Sequence, residues 1–313
     1  MIYLLKQLEY SIQKIISSSF HQQKAVELRT RYQENKNHKG LYDTYLMSRM
    51  PATYAAISRV LSDLPLDSNI KTVLDIGSGP GTGLWAVLAH FKALESYTGL
   101  EGDRQFIELA KVLSEELKTL EINWKQGVYP KELPDMSADL VLMSYTLGEN
   151  SQETLEKTLE SVWKHNVSEW LVVVEPGTPK GFNTILQTRA YITTKGGYIY
   201  TPCKGNYNCP LSEKDWCHFS VRLARSSFQK KVKGATLPYE DEKFSYLVAR
   251  KSPVRFDEGD ARIIKKPVVR SGHITLDLCN ESGYQRMTVS KSQKDIYQKA
   301  KKSEWGDDWE RDK

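Results

Sequence analysis

One glycine-rich turn constrains this chain more than anything else in it. Val73-Leu74-Asp75-Ile76 is a short apolar run, and it leads straight into Gly77-Ser78-Gly79-Pro80-Gly81-Thr82-Gly83. Glycines between a strand and a helix let the backbone approach a ligand with no side chain in the way. The spacing also excludes one class of ligand. A dinucleotide loop needs Gly-x-Gly-x-x-Gly, but Thr82 and Leu84 occupy the third-glycine positions. Downstream, strand-like and helical runs alternate. Thr72–Ile76, Ser96–Glu101, Glu121–Gln126, Ala138–Ser144 and Glu169–Glu175 read as strands; Gly83–Phe91, Asp103–Lys118 and Gln152–His165 read as helices. Nearly unbroken apolar strands alternating with helices predict an α/β fold, a doubly wound parallel sheet covered on both faces.

The flanks differ from this core. Residues 1–66 read as a helical N-terminal segment, polar over Lys24–Asn37. Tyr42, Tyr45, Leu46, Met50, Tyr54, Ile57 and Leu61 then fall near helical spacing, interrupted at Pro51. Residues 67–190 form the cofactor-binding domain, with Pro65 and Asp67 in the linker before it. Residues 191–313 form a small β-rich extension. Beyond about Gly181 the texture changes: Gly, Tyr, Lys and Cys dominate Thr193–His218 with no long periodic helix. Strand-like pieces follow at Phe219–Leu223, Phe244–Arg250, Arg262–Ile264, His273–Leu278 and Gln285–Val289, and a charged helical tail begins at Lys291. The 40% hydrophobic and 27% charged content excludes global disorder. No apolar run is long enough to span a membrane. Met1–Phe20 reads as the first helix, not a leader, and four cysteines are too few for a disulfide scaffold. A cytoplasmic location is therefore expected. From Arg189 to Arg270 there are 17 basic against 8 acidic residues, a bias that suits an anionic polymer as partner.

The Asp-x-Gly-x-Gly-x-Gly form of the turn resembles motif I of class I S-adenosylmethionine-dependent methyltransferases. That resemblance makes Asp75, Gly77, Ser78, Gly79 and Gly81 candidate cofactor residues. Glu101 ends the second strand, where a carboxylate accepts hydrogen bonds from ribose hydroxyls. A methyltransferase often places Asp after the third strand; here the stretch is Trp124-Lys125-Gln126-Gly127, with Gln126 as the substitute. The fourth strand ends in Ser144-Tyr145-Thr146-Leu147-Gly148-Glu149, without the Asn/Asp-Pro-Pro-aromatic motif of amino-methyltransferases. The sequence thus supports a cofactor site better than a catalytic one, and no catalytic residue is assigned.

All four cysteines lie beyond that half: Cys203, Cys209, Cys217 and Cys279. The spacing is Cys203-x5-Cys209-Pro210, then x7-Cys217-His218. Four thiolates suit tetrahedral zinc or an iron–sulfur cluster. The short Cys-x2–4-Cys knuckle of structural zinc is missing, and His218 is an additional zinc-ligand candidate.

Further motifs accompany these: Arg49-Met50-Pro51-Ala52-Thr53-Tyr54, Glu175-Pro176-Gly177-Thr178-Pro179, Asp215-Trp216-Cys217-His218-Phe219 and Gly272-His273 with Cys279. Together with the glycine turn and Ser144–Glu149, they resemble the methyltransferase-like small-ribosomal-subunit assembly proteins, known from mitochondria and with bacterial relatives. The resemblance runs from about Tyr45 to Trp305. It implies a Rossmann-like class I methyltransferase domain with a cysteine-bearing extension and a [4Fe-4S] cluster on Cys203, Cys209, Cys217 and Cys279. It also implies the small ribosomal subunit and its rRNA as partners, with methyl transfer left open. A monomer is favoured and no membrane is involved. With no Arg-rich transit peptide evident, a bacterial-type relative is expected. On this reading Arg222, Arg225, Lys230, Lys231, Lys233, Arg262, Lys265, Lys266 and Arg270 meet phosphates, and Tyr198, Tyr200 and Tyr207 stack on bases. The runner-up is an active methyltransferase on rRNA or ribosomal protein, with structural zinc and an active-site mouth at Ser144, Tyr145, Glu149 and Glu175–Gly177.

Overall fold

The structure is a computed structural model. It describes residues 1–16, 27, 40–65, 68–211, 215–227, 229–230, 235–257 and 259–310, and for Glu149 the backbone alone. Most of the polar run at 24–37, Asp67, Lys231 and Lys233 lie outside the described residues. The chain divides into two compact units, Met1–Ser168 with Val221–Glu242, and Glu169–Ser220 with Lys243–Lys313.

In the first unit, α1 (Lys6–Ile15), α2 (Tyr42–Ser48) and α3 (Met50–Leu61) precede the sheet. Pro51 opens α3 instead of interrupting one long helix, because proline lacks the amide that a first-turn residue does not need. Then follow β1 (Thr72–Ile76), α4 (Thr82–His90), β2 (Ser96–Glu101), α5 (Arg104–Ser114), β3 (Glu121–Gln126), β4 (Ala138–Ser144) and α6 (Gln152–Ser161). These strands stand in the order β3-β2-β1-β4. All three neighbouring pairs are parallel, with Val73 opposite both Tyr97 and Leu140. The order reverses at β1, and in open α/β sheets ligands bind at the carboxyl ends of the strands beside such a switch. Asp103 caps α5 by accepting from the Gln105 amide at 2.8 Å. Its apolar face, Phe106, Leu109, Ala110 and Leu113, is buried, as its spacing predicts.

The second unit contains most of β5 (Val167–Pro176), then α7 (Pro179–Thr194) and β6 (Tyr198–Thr201). β7 (Phe219–Ala224) and β8 (Tyr239–Arg250) run through both residue ranges. β5 and β6 each pair antiparallel with β8. A second sheet combines β9 (Ala261–Ile263), β10 (Val268–Arg270), β11 (His273–Asn280), β12 (Gly283–Ser290) and β13 (Asp308–Trp309). The last helix, α8 (Lys294–Lys302), adds Tyr297 and Ala300 to the small core of this sheet, beside Ile263, Leu276 and Trp309.

The α/β class, the helical N-terminal segment and the β-rich C-terminal part thus stand as expected. Three short strands, β6, β10 and β13, were not read from the sequence, and two longer elements differ from that reading. α7 is a helix the reading did not identify: Phe182, Ile185, Arg189 and Ile192 form its buried stripe, diluted in sequence by Gly181 and several threonines. β8 begins at Tyr239 instead of Phe244, because its charged first half is held by ion pairs and not by apolar burial. Arg222 pairs with Asp241 at 2.7 Å, and Arg225 with Glu240 at 2.9 Å.

Candidate functional site

The turn after β1 is held by backbone hydrogen bonds. The Gly77 and Ser78 amides both donate to the Leu100 carbonyl, at 2.8 and 3.1 Å, and the Gly81 amide donates to the Ser78 carbonyl at 3.0 Å. Gly77 and Gly81 adopt φ of +74° and +82°, the left-handed region that glycine occupies at no steric cost. A Cβ on Gly77 would strike the Thr146 side chain, and one on Gly81 would come to 2.6 Å from the Trp124 ring. Gly79 differs. A Cβ there meets only the Tyr45 hydroxyl at 3.9 Å, so this is the open side of the cradle.

Glu101 closes one wall. Its Oε2 accepts from the Gly79 amide and its Oε1 from the Asp103 amide, both at 2.8 Å. Burial raises its carboxyl above the ordinary range, opposed by those amides. Asp75 is fully buried and accepts from the Tyr97 hydroxyl at 2.5 Å. Burial, helped by the charge of Glu101, pushes its carboxyl up to about 7. Among the described residues, three buried polar atoms around the turn have no hydrogen-bond partner: Asp75 Oδ1, Ser78 Oγ and Thr146 Oγ1. Such groups cost free energy until something polar meets them. Gln126 lies in register with Glu101 and is exposed, 3.5 Å from the Gly102 carbonyl.

Several residues of this region make contacts that the sequence did not foretell. The Trp124 indole lies against Gly81 and Gly99 and donates to Ser114 Oγ at 3.3 Å. Tyr42 and Tyr45 pack on Phe106 with ring centroids 5.1 and 4.9 Å apart. The Tyr42 hydroxyl donates to Asp103 at 2.8 Å, and burial together with that carboxylate raises it to about 12. Tyr145, at the end of β4, has φ of +58°, and its hydroxyl donates to Glu242 at 3.0 Å. Glu242 also holds Arg49, at 3.2 Å. The sequence signals were helical spacing at Tyr42 and Tyr45 and the motifs that contain Arg49 and Tyr145; none of them indicates these pairings.

In the second unit, Cys203, Cys209, Cys217 and Cys279 line one cavity of about 30 Å³, together with Arg189 and Arg262. Cys279 is buried and the other three are part-buried. Burial raises the thiols of Cys203, Cys217 and Cys279 above their ordinary value, Cys279 to about 12, and their mutual repulsion adds to it. The Arg189 guanidinium, a positive charge beside Cys203, pulls that thiol back. Among the described residues, no three His, Cys, Asp or Glu side chains are grouped closely enough to hold a single metal ion. His218 is an aromatic neighbour of the cavity. It stacks on Trp216 at 5.3 Å, its Nδ1 lies 3.2 Å from the Trp216 carbonyl, and burial lowers its pKa. Trp216 in turn donates to the Gly177 carbonyl at 3.1 Å, which joins two of the motifs singled out in the sequence.

Several of the residues expected to meet phosphates have partners within the chain. Arg262 is 3% exposed and bonds Thr201 Oγ1 and the Gly306 carbonyl at 2.6 Å, with Asp308 at 3.1 Å. Lys265 pairs with Asp215 at 2.6 Å, and Arg222 and Arg225 hold the acidic start of β8. Lys266 and Arg270 are exposed, and Lys230 is half-buried. Tyr200 packs against Trp170, and Tyr207 lies beside Cys279.

The family model described as mitochondrial small ribosomal subunit Rsm22 matches residues 42–310. The Rsm22-cox11 tandem protein 2, mitochondrial, of Schizosaccharomyces pombe is 26% identical over 328 residues, covering 84% of this chain and 42% of that protein. The mitochondrial ribosome assembly protein RSM22 of Saccharomyces cerevisiae is 52% identical over 50 residues, 15% of this chain and 8% of that protein. The chain therefore spans less than half the length of these relatives. Among solved structures, it is similar to a SAM-dependent methyltransferase from Aquifex aeolicus, with 15% identity, 66% of this chain and 95% of that chain covered, and a TM-score of 0.43. For a precorrin-6y C5,15-methyltransferase from Geobacter metallireducens the values are 14%, 62%, 85% and 0.41. The expected cytoplasmic, bacterial-type location is corrected by these findings: the matched family and both fungal relatives are mitochondrial. That expectation rested on the composition of one N-terminal segment, which says less than a match over most of the chain. Among the described residues no helix is long and apolar enough to cross a membrane.

Proposed function

The chain belongs to the Rsm22 family of mitochondrial small-ribosomal-subunit proteins, and from that premise we propose that it is an assembly factor for the small subunit, acting on its rRNA, with two resident cofactors. S-adenosylmethionine occupies the glycine cradle, and a [4Fe-4S] cluster is held by the four cysteines. The observation that carries the reading is that one matched span, residues 42–310, contains both constellations.

The cradle residues fit the nucleoside. Gly79 leaves the open side, and Asp75 Oδ1, Ser78 Oγ and Thr146 Oγ1 are buried polar atoms lacking partners. The Glu101 carboxylate accepts the Gly79, Gly102 and Asp103 amides and has acceptor capacity left for a ribose hydroxyl. Asp75, Gly77, Ser78, Gly79, Gly81, Glu101 and Gln126 are the assigned residues. When bound, the sulfonium supplies an electrophilic methyl group; the residues themselves bind and orient it. The cavity residues fit a thiolate-ligated group through their donor set: Cys203, Cys209, Cys217 and Cys279 line the same space. A multi-iron centre reaches sulfurs more widely spaced than one zinc ion does.

Anaerobically purified protein is expected to carry iron and sulfide, and calorimetry is expected to show saturable S-adenosylmethionine binding that Gly79→Arg abolishes. Sedimentation with purified mitochondrial small subunits tests the partner. Retention that falls with salt, and falls earlier in Lys266→Glu/Arg270→Glu, supports rRNA contact. A chain that never co-sediments overturns the assembly role.

A further inference from the structure

The four-thiol cavity contains two guanidiniums, and they differ in one respect. Arg262 is 3% exposed and has a carboxylate partner, Asp308, at 3.1 Å. Arg189, on the buried stripe of α7, is 7% exposed and has none among the described residues. It donates to the Tyr207 carbonyl and, at 3.4 Å, to the Gly205 carbonyl, and lies 5.8 Å from the Tyr207 ring centroid. Its Nε is buried without a partner among the described residues.

A buried cation without a counterion is costly, and neutral carbonyls offset only part of the desolvation. Among the described residues lining the cavity with it, the groups able to become anionic at neutral pH are the four cysteine sulfurs. A free thiol brings no charge, whereas a metal-bound sulfur is a thiolate. Four thiolates outweigh the charge of the metal core they hold, so the assembled group is an anion.

We propose that Arg189 is the counterion of the metal–thiolate group held by Cys203, Cys209, Cys217 and Cys279, donating a hydrogen bond to the Cys203 sulfur. The inference rests on the four-thiolate reading above. The planar fork matters as much as the charge. Gly205 and Tyr207 lie between Cys203 and Cys209, so one side chain binds the ligand loop through its carbonyls and the loaded group through its charge. A lysine supplies the charge but not the fork.

The test uses the full chain, purified anaerobically, as wild type, Arg189→Gln and Arg189→Lys. Iron, zinc and sulfide per chain, the rate of metal loss to a chelator, and the melting temperature of loaded and stripped protein are measured. Loss from loaded Arg189→Gln is expected to be about tenfold faster than from wild type, the size typical of a lost outer partner. Arg189→Lys is expected to fall between them. Stripped Arg189→Gln is expected to be at least as stable as stripped wild type, because the uncompensated charge is gone. Two outcomes overturn the inference: chelator loss at the wild-type rate, or a melting temperature lowered equally in loaded and stripped forms, which marks a loop clamp alone. Wild type holding neither iron nor zinc overturns the four-thiolate reading itself, and the role of Arg189 with it.

Discussion

The glycine cradle and the cysteine cavity satisfy their buried groups on different terms. The cradle draws most of its residues from one stretch, Asp75 to Glu101, and its shape is held by backbone hydrogen bonds to Leu100, Ser78 and Glu101. What it leaves unmet is polar: two hydroxyls and one oxygen of a carboxyl that burial keeps protonated up to about 7. The cavity draws on cysteines up to 76 positions apart in sequence. What it leaves unmet, among the described residues, is a full charge, on Arg189. A neutral shortfall can be met by water as well as by ligand; a buried charge requires an anion. The first region is therefore expected to hold its form independently of its ligand, and the second to depend on what fills it.

The largest test of that contrast is Cys217→Ser. It is expected to lose metal and to destabilise the loaded chain by several kcal/mol, on the order of 5. Calorimetric S-adenosylmethionine binding is expected to persist, since every cradle residue lies in the other unit. Loss of both together breaks the contrast. Asp75→Asn sharpens it through pH. The Asp75 carboxyl is raised from 3.8 to about 7 in the folded state. Between those values the folded chain keeps a proton that the unfolded chain has released. This contribution is fully present below the unfolded value and is lost as pH rises through the folded one, at most about 4 kcal/mol in all. Urea unfolding on either side of that window is expected to show this decline in wild type and a flatter profile in the variant. Gly81→Ala is expected to cost about 3 kcal/mol in the same assay, from a left-handed alanine and a displaced Trp124 ring, without changing metal content. Tyr42→Phe is the smallest, about 1 kcal/mol for one hydrogen bond to Asp103.

The same contrast governs what could be read from the chain. The cradle was legible because its parts are neighbours in sequence: a strand, three spaced glycines and a carboxylate at the next strand end. The sequence did not reveal why each glycine is required. Gly83 must be small because Leu142 of β4 lies against it, and Gly81 because Trp124 of β3 does. Those partners come from across the sheet, where spacing carries no information. The cysteines were legible as a cluster, but Arg189 was not, because α7 hides its buried face among threonines. Charge alone did not show what Arg222, Arg225 and Arg262 contact within the chain. The first two answer acidic residues across a hairpin, and the third is buried.

Glu242 fastens three distant stretches of the first unit, taking the Tyr145 hydroxyl and the Arg49 guanidinium on one carboxylate. Across descendants of this chain, position 242 is thus free to drift only in concert with positions 49 and 145. Lineages that keep the arginine should keep the acid, and those that discard one should discard the other.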